Sequence, residues 1–389
     1  MSDPRLRVRL VLAFAGFILI GFAAGASGVL LPAQIAHYRL DKSVIGLLFF
    51  AFSAGYVLAG AVNGWLLRRA GTRTELLLGI ATFGAAALGC ALPPAYPGLL
   101  VLTLVLGFGA GIIDSGLNAY VASLPRHTAR LNYLHAFYGV GALLGPVLAA
   151  ALLDSGLPWN AVYLVFAAGS VPMLVGFGLG YPQATPPAAD GPARPSAVAA
   201  AVRHRAIVLT ALFLAVYVGV EASIGNWGYS LLVEERGQDA LLAGWAVSGY
   251  WFGFTAGRFV VNTLAERAGI GPVALAFSCL AAVAAATALA WVAPADLVVV
   301  LALAALGFFL GPVFPLTIAV LPRLAPAWLV PTSIGLLIGV SVVGGAFFPW
   351  LAGTVAHHLG LGTLLPYTLL LAGLMLVSWW RIARRVAPA

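Results

Sequence analysis

Apolar residues in this chain come in long unbroken runs. They show neither the alternation of a half-buried strand nor the narrow stripe of a surface helix. A run of about 20 apolar residues crosses a bilayer as a helix, because in lipid the backbone must satisfy its own hydrogen bonds. Twelve such runs are predicted, over residues 10–33, 43–66, 76–93, 98–122, 133–153, 160–181, 206–232, 240–262, 272–292, 296–322, 330–354 and 363–384. No segment has the two-residue alternation that builds an outer-membrane barrel, so the expected class is an all-α membrane protein. The one long polar connection, 182–205, carries Pro182, Pro186, Pro187, Pro192 and Pro195 among small residues and reads as a flexible linker. It separates two six-run bundles, 1–181 and 206–389.

An internal repeat supports this division. Gly107, Phe108 and Gly111 in the fourth run recur as Gly307, Phe308 and Gly311 in the tenth. Gly139, Val140 and Gly145 in the fifth recur as Gly339, Val340 and Gly345 in the eleventh, again 200 positions on. One shift shared by two separate runs marks two pseudo-symmetric halves. Glycines at such positions are first of all packing residues that let membrane helices approach closely. Pro146, Pro312, Pro315 and Pro349 add expected breaks in the fifth, tenth and eleventh runs.

Composition strengthens the membrane assignment and charge orients it. The 389 residues are 62% hydrophobic and 8% charged, a balance suited to lipid and not to water. The net charge of +8 comes from arginines gathered in alternate connections. The tails and one set of connections hold 16 of the 20 basic residues, the other set only Arg39, Lys42 and Arg236. The positive-inside rule therefore predicts both termini in the cytoplasm of an inner-membrane protein, and no role for nucleic acid. The first run follows basic residues as a leader would, but continues through Leu30 and Leu31 to full spanning length and is read as a membrane helix. Cys90 and Cys279 both lie in apolar runs, where packing and not a disulfide is expected.

Charge within the spans is costly and marks candidate solute or proton paths. Asp114 in the fourth run, Glu221 in the seventh and Arg258 in the eighth lie deepest. Gly107, Gly111, Asp114 and Asn118 fall on one helical stripe, expected to face a cavity. Tyr217 stands one turn before Glu221, and Asn226 and Trp227 follow, so the seventh run also carries a polar and aromatic patch suited to a polar ligand. Asn132, His135 and Tyr138 open the fifth run. Arg258 is expected either to pair with an acid or to snorkel toward the interface. The adjacent His357 and His358 point in different directions on a helix, and no metal or other cofactor is expected.

The connection after the second run reads Gly64-Trp65-Leu66-Leu67-Arg68-Arg69-Ala70-Gly71-Thr72-Arg73. It resembles the loop signature of the major facilitator superfamily: Gly, three residues, Asp, a base, any residue, Gly, Arg, a base. Gly64, Arg69, Gly71 and Arg73 match, whereas Arg68 stands where the family has its acid. The equivalent loop of the second half keeps Glu266, Arg267 and then Gly269. Within the superfamily the chain resembles sugar–proton symporters of the fucose permease type and their bypass-of-stop-codon-like and sodium–glucose-like relatives. Gly109, Asp114, Asn118, Leu131-Asn132, His135, Tyr138 and Gly141-Ala142 carry that likeness, with Tyr217-Val218-Gly219 and Leu30-Leu31-Pro32. Gly28 departs from it, standing where fucose permease has a coupling Asp.

The resemblance implies alternating access around a cavity lined by the first, fourth, seventh and tenth spans. The departure at Gly28 leaves Asp114 and Glu221 as the expected coupling acids, and the polar stripes offer Asn118, Asn132, His135, Tyr138, Tyr217, Asn226 and Trp227 as expected substrate contacts. Arg258, Arg69, Gly71, Arg73, Glu266 and Arg267 are the expected gating or charge-pairing residues. Phe314 replaces the acid at the repeat position of Asp114, so the halves differ chemically. The expected partners are a small polar solute such as a sugar, the proton and the lipid bilayer, for a protein acting as a monomer. Two alternatives stay open on sequence: export of amphipathic compounds, favoured by Gly141, Gly145-Pro146, Ala149 and Ala150, and a sensor that binds without transporting. An enzyme is excluded by the lack of any nucleophile, phosphate-loop or metal-ligand pattern.

Overall fold

The computed structural model describes residues 4–124, 127–183 and 195–386, without the side chains of 127–129, 195, 196, 262, 266 and 331. Among the described residues there is no strand. The helices are α1 (Pro4–Tyr38), α2 (Lys42–Ile45), α3 (Leu47–Ala91), α4 (Tyr96–Ala122), α5 (His127–Asp154), α6 (Ala161–Gly180) and α7 (Pro195–Arg203). They continue as α8 (Arg205–Ser230), α9 (Ala240–Arg267), α10 (Pro272–Val292), α11 (Asp296–Leu310), α12 (Val313–Val320), α13 (Val330–Leu359) and α14 (Leu364–Ala383).

Ten stretches of the described chain are long and apolar enough to cross a membrane, against twelve expected runs. Two local causes account for the difference. The second and third runs meet end to end in the 45-residue α3, but Gly71 is non-helical, at φ 74° and ψ 165°, so α3 is two helices joined across a sharp kink. The eighth run, α9, is 28 residues long, but Gly244, Gly249, Gly253, Trp245, Tyr250 and Trp251 dilute its apolar character. The tenth run is broken as its prolines predict: α11 stops at Leu310 and α12 begins after Pro312. Pro146 and Pro349, by contrast, sit inside unbroken α5 and α13.

The chain forms two compact units, Met1–Ala189 and Asp190–Ala389, whose boundary falls within the expected linker. Residues 184–194 of that linker lie outside the described ones, but its last third is α7, packed on α8 and α13. In the first unit α3 packs on α4 and α6, and α1 on α5; in the second α9 packs on α11, and α8 on α13 and α14.

Glycine dictates how closely these pairs approach. A Cβ on Gly107 would collide with the Phe52 carbonyl, and one on Gly55 with the Leu104 carbonyl. In the second unit Gly307 meets the Tyr250 carbonyl and Gly253 the Ala304 carbonyl in the same way. The α3–α4 interface is thus repeated as α9–α11, with the 200-position shift intact for Gly107 and Gly111. The fifth and eleventh runs behave differently. Gly339 has open space around its Cβ direction, and the close contact belongs to Gly344 against the Ala215 carbonyl. Its counterpart is Gly141 against the Ile18 carbonyl. Gly141 and Pro146 therefore correspond to Gly344 and Pro349, 203 positions on, which corrects the pairing expected from glycine matching.

At the arginine-bearing end of the first unit, arginines complete the C-terminus of α6. Arg9 Nε donates to the Gly180 carbonyl at 2.8 Å and Arg73 Nε to the Tyr181 carbonyl at 2.7 Å. The Tyr181 hydroxyl donates to the Arg9 carbonyl at 2.8 Å. Orphan helix-end carbonyls are in this way bonded to side chains in place of water. Gln183 closes the turn at Gly71, its amide donating to the Ala70 carbonyl and to Thr74 Oγ1.

Candidate functional site

In the first unit the polar stripe of α4 meets α3 and not an open space along its whole length. Gly107 and Gly111 press against the α3 backbone, and this contact brings Tyr56 of α3 to Asp114 of α4. The Tyr56 hydroxyl donates to Asp114 Oδ2 at 2.5 Å, and Asn118 Nδ2 donates to Asp114 Oδ1 at 3.1 Å. The same Asn118 amide bonds the Asp114 carbonyl at 3.0 Å, as one helical turn allows. Tyr138 of α5 lies within electrostatic reach of Tyr56, so α3, α4 and α5 converge on the acid. Asp114 and Asn118 are half-buried, leaving one side of the group accessible. His135 is exposed and sits edge-on to Phe17 at 5.6 Å, and Asn132 is exposed one turn earlier. Neither is drawn into the Asp114 cluster by any hydrogen bond described for that acid.

In the second unit Glu221 and Tyr217 of α8 and Tyr250 and Arg258 of α9 lie within electrostatic reach of one another. The Tyr250 hydroxyl donates to the Glu221 carbonyl at 3.1 Å. Arg258 Nε donates to the Gly311 carbonyl at 3.3 Å, and its guanidinium stacks 4.4 Å from the Phe254 ring. Arg258 thus lies within electrostatic reach of Glu221 while its guanidinium is held by the Gly311 carbonyl and the Phe254 ring. Phe314 of α12 lies 6.0 Å from the Tyr217 ring and closes the cluster on its apolar side. The repeat explains the contrast between units. Phe254 and Phe314 stand where Tyr56 and Asp114 stand in the first unit, so the second unit replaces that hydrogen bond with an aromatic wall and takes its acid from α8.

The remaining expected contacts separate. Asn226 Nδ2 turns back to the Ala222 carbonyl at 2.8 Å and is half-buried. Trp227 is 0% exposed and donates its indole N–H to the Pro349 carbonyl at 2.7 Å. Its face is occupied by packing that ties α8 to α13, so in this structure it is not a surface for a ligand. Of the expected gating residues, Gly71 forms the kink of α3, Arg73 bonds the Tyr181 carbonyl, and Arg69 and Arg267 are exposed. The side chain of Glu266 lies outside the described residues.

Three residues of these clusters escaped the sequence reading. Tyr56 and Tyr250 are tyrosines beside small-residue positions in otherwise apolar runs, and only the helix pairing shows which acid each meets. Glu75 is 0% exposed, with neither carboxyl oxygen hydrogen-bonded, and lies against Gly116, where a Cβ would come within 3.2 Å of its carboxyl carbon. It falls one position before the predicted third run, which is why it was not counted among the buried acids. Among the described residues no three His, Cys, Asp or Glu side chains gather in a metal-binding group.

Comparison with known proteins decides the family. The profile of the Major Facilitator Superfamily matches residues 13–233. The chain belongs to the Major Facilitator Superfamily. Like the other members it is a multi-pass membrane transporter and not an enzyme. Among curated relatives of this superfamily member, bypass of stop codon protein 6 of Saccharomyces cerevisiae is 25% identical, over 97% of this chain and 82% of its own. A glucose/galactose transporter of Brucella abortus is 27% identical, over 89% of this chain and 87% of its own. Among solved structures, a bacterial homologue of the human lysosomal transporter Spinster superposes with a TM-score of 0.82 at 15% identity, covering 100% of both chains. The Escherichia coli fucose:proton symporter superposes with a TM-score of 0.63 at 19% identity, over 96% of this chain and 98% of its own. At such identities the structures speak to the fold of this facilitator alone.

Proposed function

We propose that this facilitator carries a small polar solute of the sugar class into the cell together with a proton, by alternating access, from an inner membrane with both of its termini in the cytoplasm. The observation that carries the reading is that each unit holds a half-buried acid surrounded by donors: Asp114 with Tyr56 and Asn118, Glu221 with Tyr217 and Arg258. An acid kept within a membrane span by hydroxyl and amide donors can take up and release a proton without leaving its site. The glucose/galactose transporter among the relatives supports the solute class. The departure at Gly28 leaves Asp114 and Glu221 to carry the coupling role assigned to an Asp in fucose permease.

The test is uptake into proteoliposomes under an imposed pH gradient. Asp114→Asn is expected to abolish accumulation above equilibrium while preserving exchange of labelled solute across the bilayer. Accumulation that persists in Asp114→Asn and in Glu221→Gln removes both acids from the coupling path. Accumulation of amphipathic drugs in place of sugars turns the reading to export. The α5 glycines that favoured export on sequence have a packing account, since Gly141 and Gly145 lie against the backbone of α1.

A further inference from the structure

Four arginines of the second unit line one pocket away from the Glu221 cluster. Arg203 ends α7, Arg205 begins α8, and Arg381 and Arg385 lie at the end of α14; together with Leu209 and Leu212 they border a cavity of about 420 Å³. All four are exposed, and like charges that line one pocket repel one another unless a counter-charge lies between them. Among the described residues none of the four has an acidic partner. A second feature adds to the positive potential. His204, the N-cap of α8, gives the first amides of that helix no side-chain capping bond, and its Nδ1 is buried without a hydrogen bond among the described residues. A helix N-terminus left open in this way favours an anion.

The rest of the lining selects among anions. Leu212 is 56% exposed and Val202 49%, so the basic rim continues into an apolar wall on the outer surface. Arg205 and Leu212 are seven positions apart on one helix, roughly 10 Å along its axis. That is the arrangement of a phosphate joined to an acyl chain: guanidinium groups where the headgroup lies, leucine where the chain descends into the bilayer. Basic pockets of this type between membrane helices hold anionic headgroups. Arginine suits the task because its planar fork matches phosphate oxygens two at a time.

We propose that this pocket is a binding site for an anionic glycerophospholipid, with Arg203, Arg205, Arg381 and Arg385 on the phosphate and Leu209 and Leu212 along one acyl chain. The lipid would join the start of α8 to the end of α14, so its presence would set the stability of the second unit.

The experiment uses the full-length protein in phosphatidylcholine nanodiscs, with phosphatidylglycerol or inorganic phosphate added, read by thermal unfolding and by native mass spectrometry. Phosphatidylglycerol is expected to raise the melting temperature and to remain attached in the mass spectrum; inorganic phosphate is expected to do neither. The double variant Arg381→Gln/Arg385→Gln should bind phosphatidylglycerol roughly thirtyfold more weakly, given what each interfacial arginine contributes toward anionic lipid. Arg381→Lys/Arg385→Lys should keep most of the binding, and its melting temperature in phosphatidylcholine alone separates lost binding from lost folding. Leu212→Gln should weaken the lipid as well. Equal stabilisation by inorganic phosphate overturns the lipid assignment in favour of a free anion. Undiminished phosphatidylglycerol binding in the Gln double variant overturns the site.

Discussion

Asp114 shows how far a single side chain can be understood before its neighbours are known. Its depth in an apolar run and its one-turn relation to Asn118 were legible in the sequence, because helical periodicity fixes both. Tyr56 was not, because its contact depends on two glycines, Gly107 and Gly111, letting α3 come within backbone distance of α4. The prediction is specific. Tyr56→Phe keeps the ring and removes a donor to a half-buried acid, which should cost roughly 1–3 kcal/mol in thermal or denaturant unfolding. Trp227 teaches the reverse lesson. An aromatic in a polar patch looks like a ligand platform, yet its N–H is spent on Pro349. Trp227→Phe should leave solute affinity nearly unchanged while lowering stability by about 1 kcal/mol, and a large affinity loss would restore the ligand role. Gly71 has a positive φ of 74°. Gly71→Ala should be destabilised by about 1–3 kcal/mol from backbone conformation alone, and by more because its Cβ meets the Gln183 carbonyl.

For helices, the apolar runs were readable almost entirely, since spanning length is imposed by the bilayer and not by any particular neighbour. Where the runs join or break was readable only in part. Pro312 announced its break, but that the second and third helices meet at a kink with no loop between them could not be seen, because a glycine at a kink and a glycine in a loop look the same in sequence. The glycines themselves divide into two kinds. Gly107→Leu should force α3 and α4 apart and cost on the order of 3 kcal/mol or more, seen as a lower melting temperature. Gly339→Ala, with nothing within 4 Å of the added carbon, should be neutral or stabilising by up to about 1 kcal/mol. Both were equally good repeat matches on sequence, so the contrast between them measures what composition alone cannot tell. A chain with 46 glycines offers many coincidental pairings.

Taken together, the two units share a scaffold and differ in chemistry, which the substitution of Phe314 for Asp114 already suggested. The arginine distribution yields a prediction of its own for the full chain. With Cys90 and Cys279 buried, a cysteine added at either terminus should react with a membrane-impermeant maleimide only when the cytoplasmic face is exposed. Labelling from the outside at either end would reverse the orientation. The register of the repeat carries one more consequence. Gly111 and Gly141 are 30 positions apart, whereas Gly311 and Gly344 are 33 apart, so the second unit has three more residues between equivalent contacts. In the second unit that interval holds two single turns of 3-10 helix, Leu321–Arg323 and Ala327–Leu329. Anyone rebuilding this protein as two identical copies of one unit, to recover a symmetric forerunner, would have to decide which connection to copy. The two choices would give ancestors with different tethers and the same packed helices.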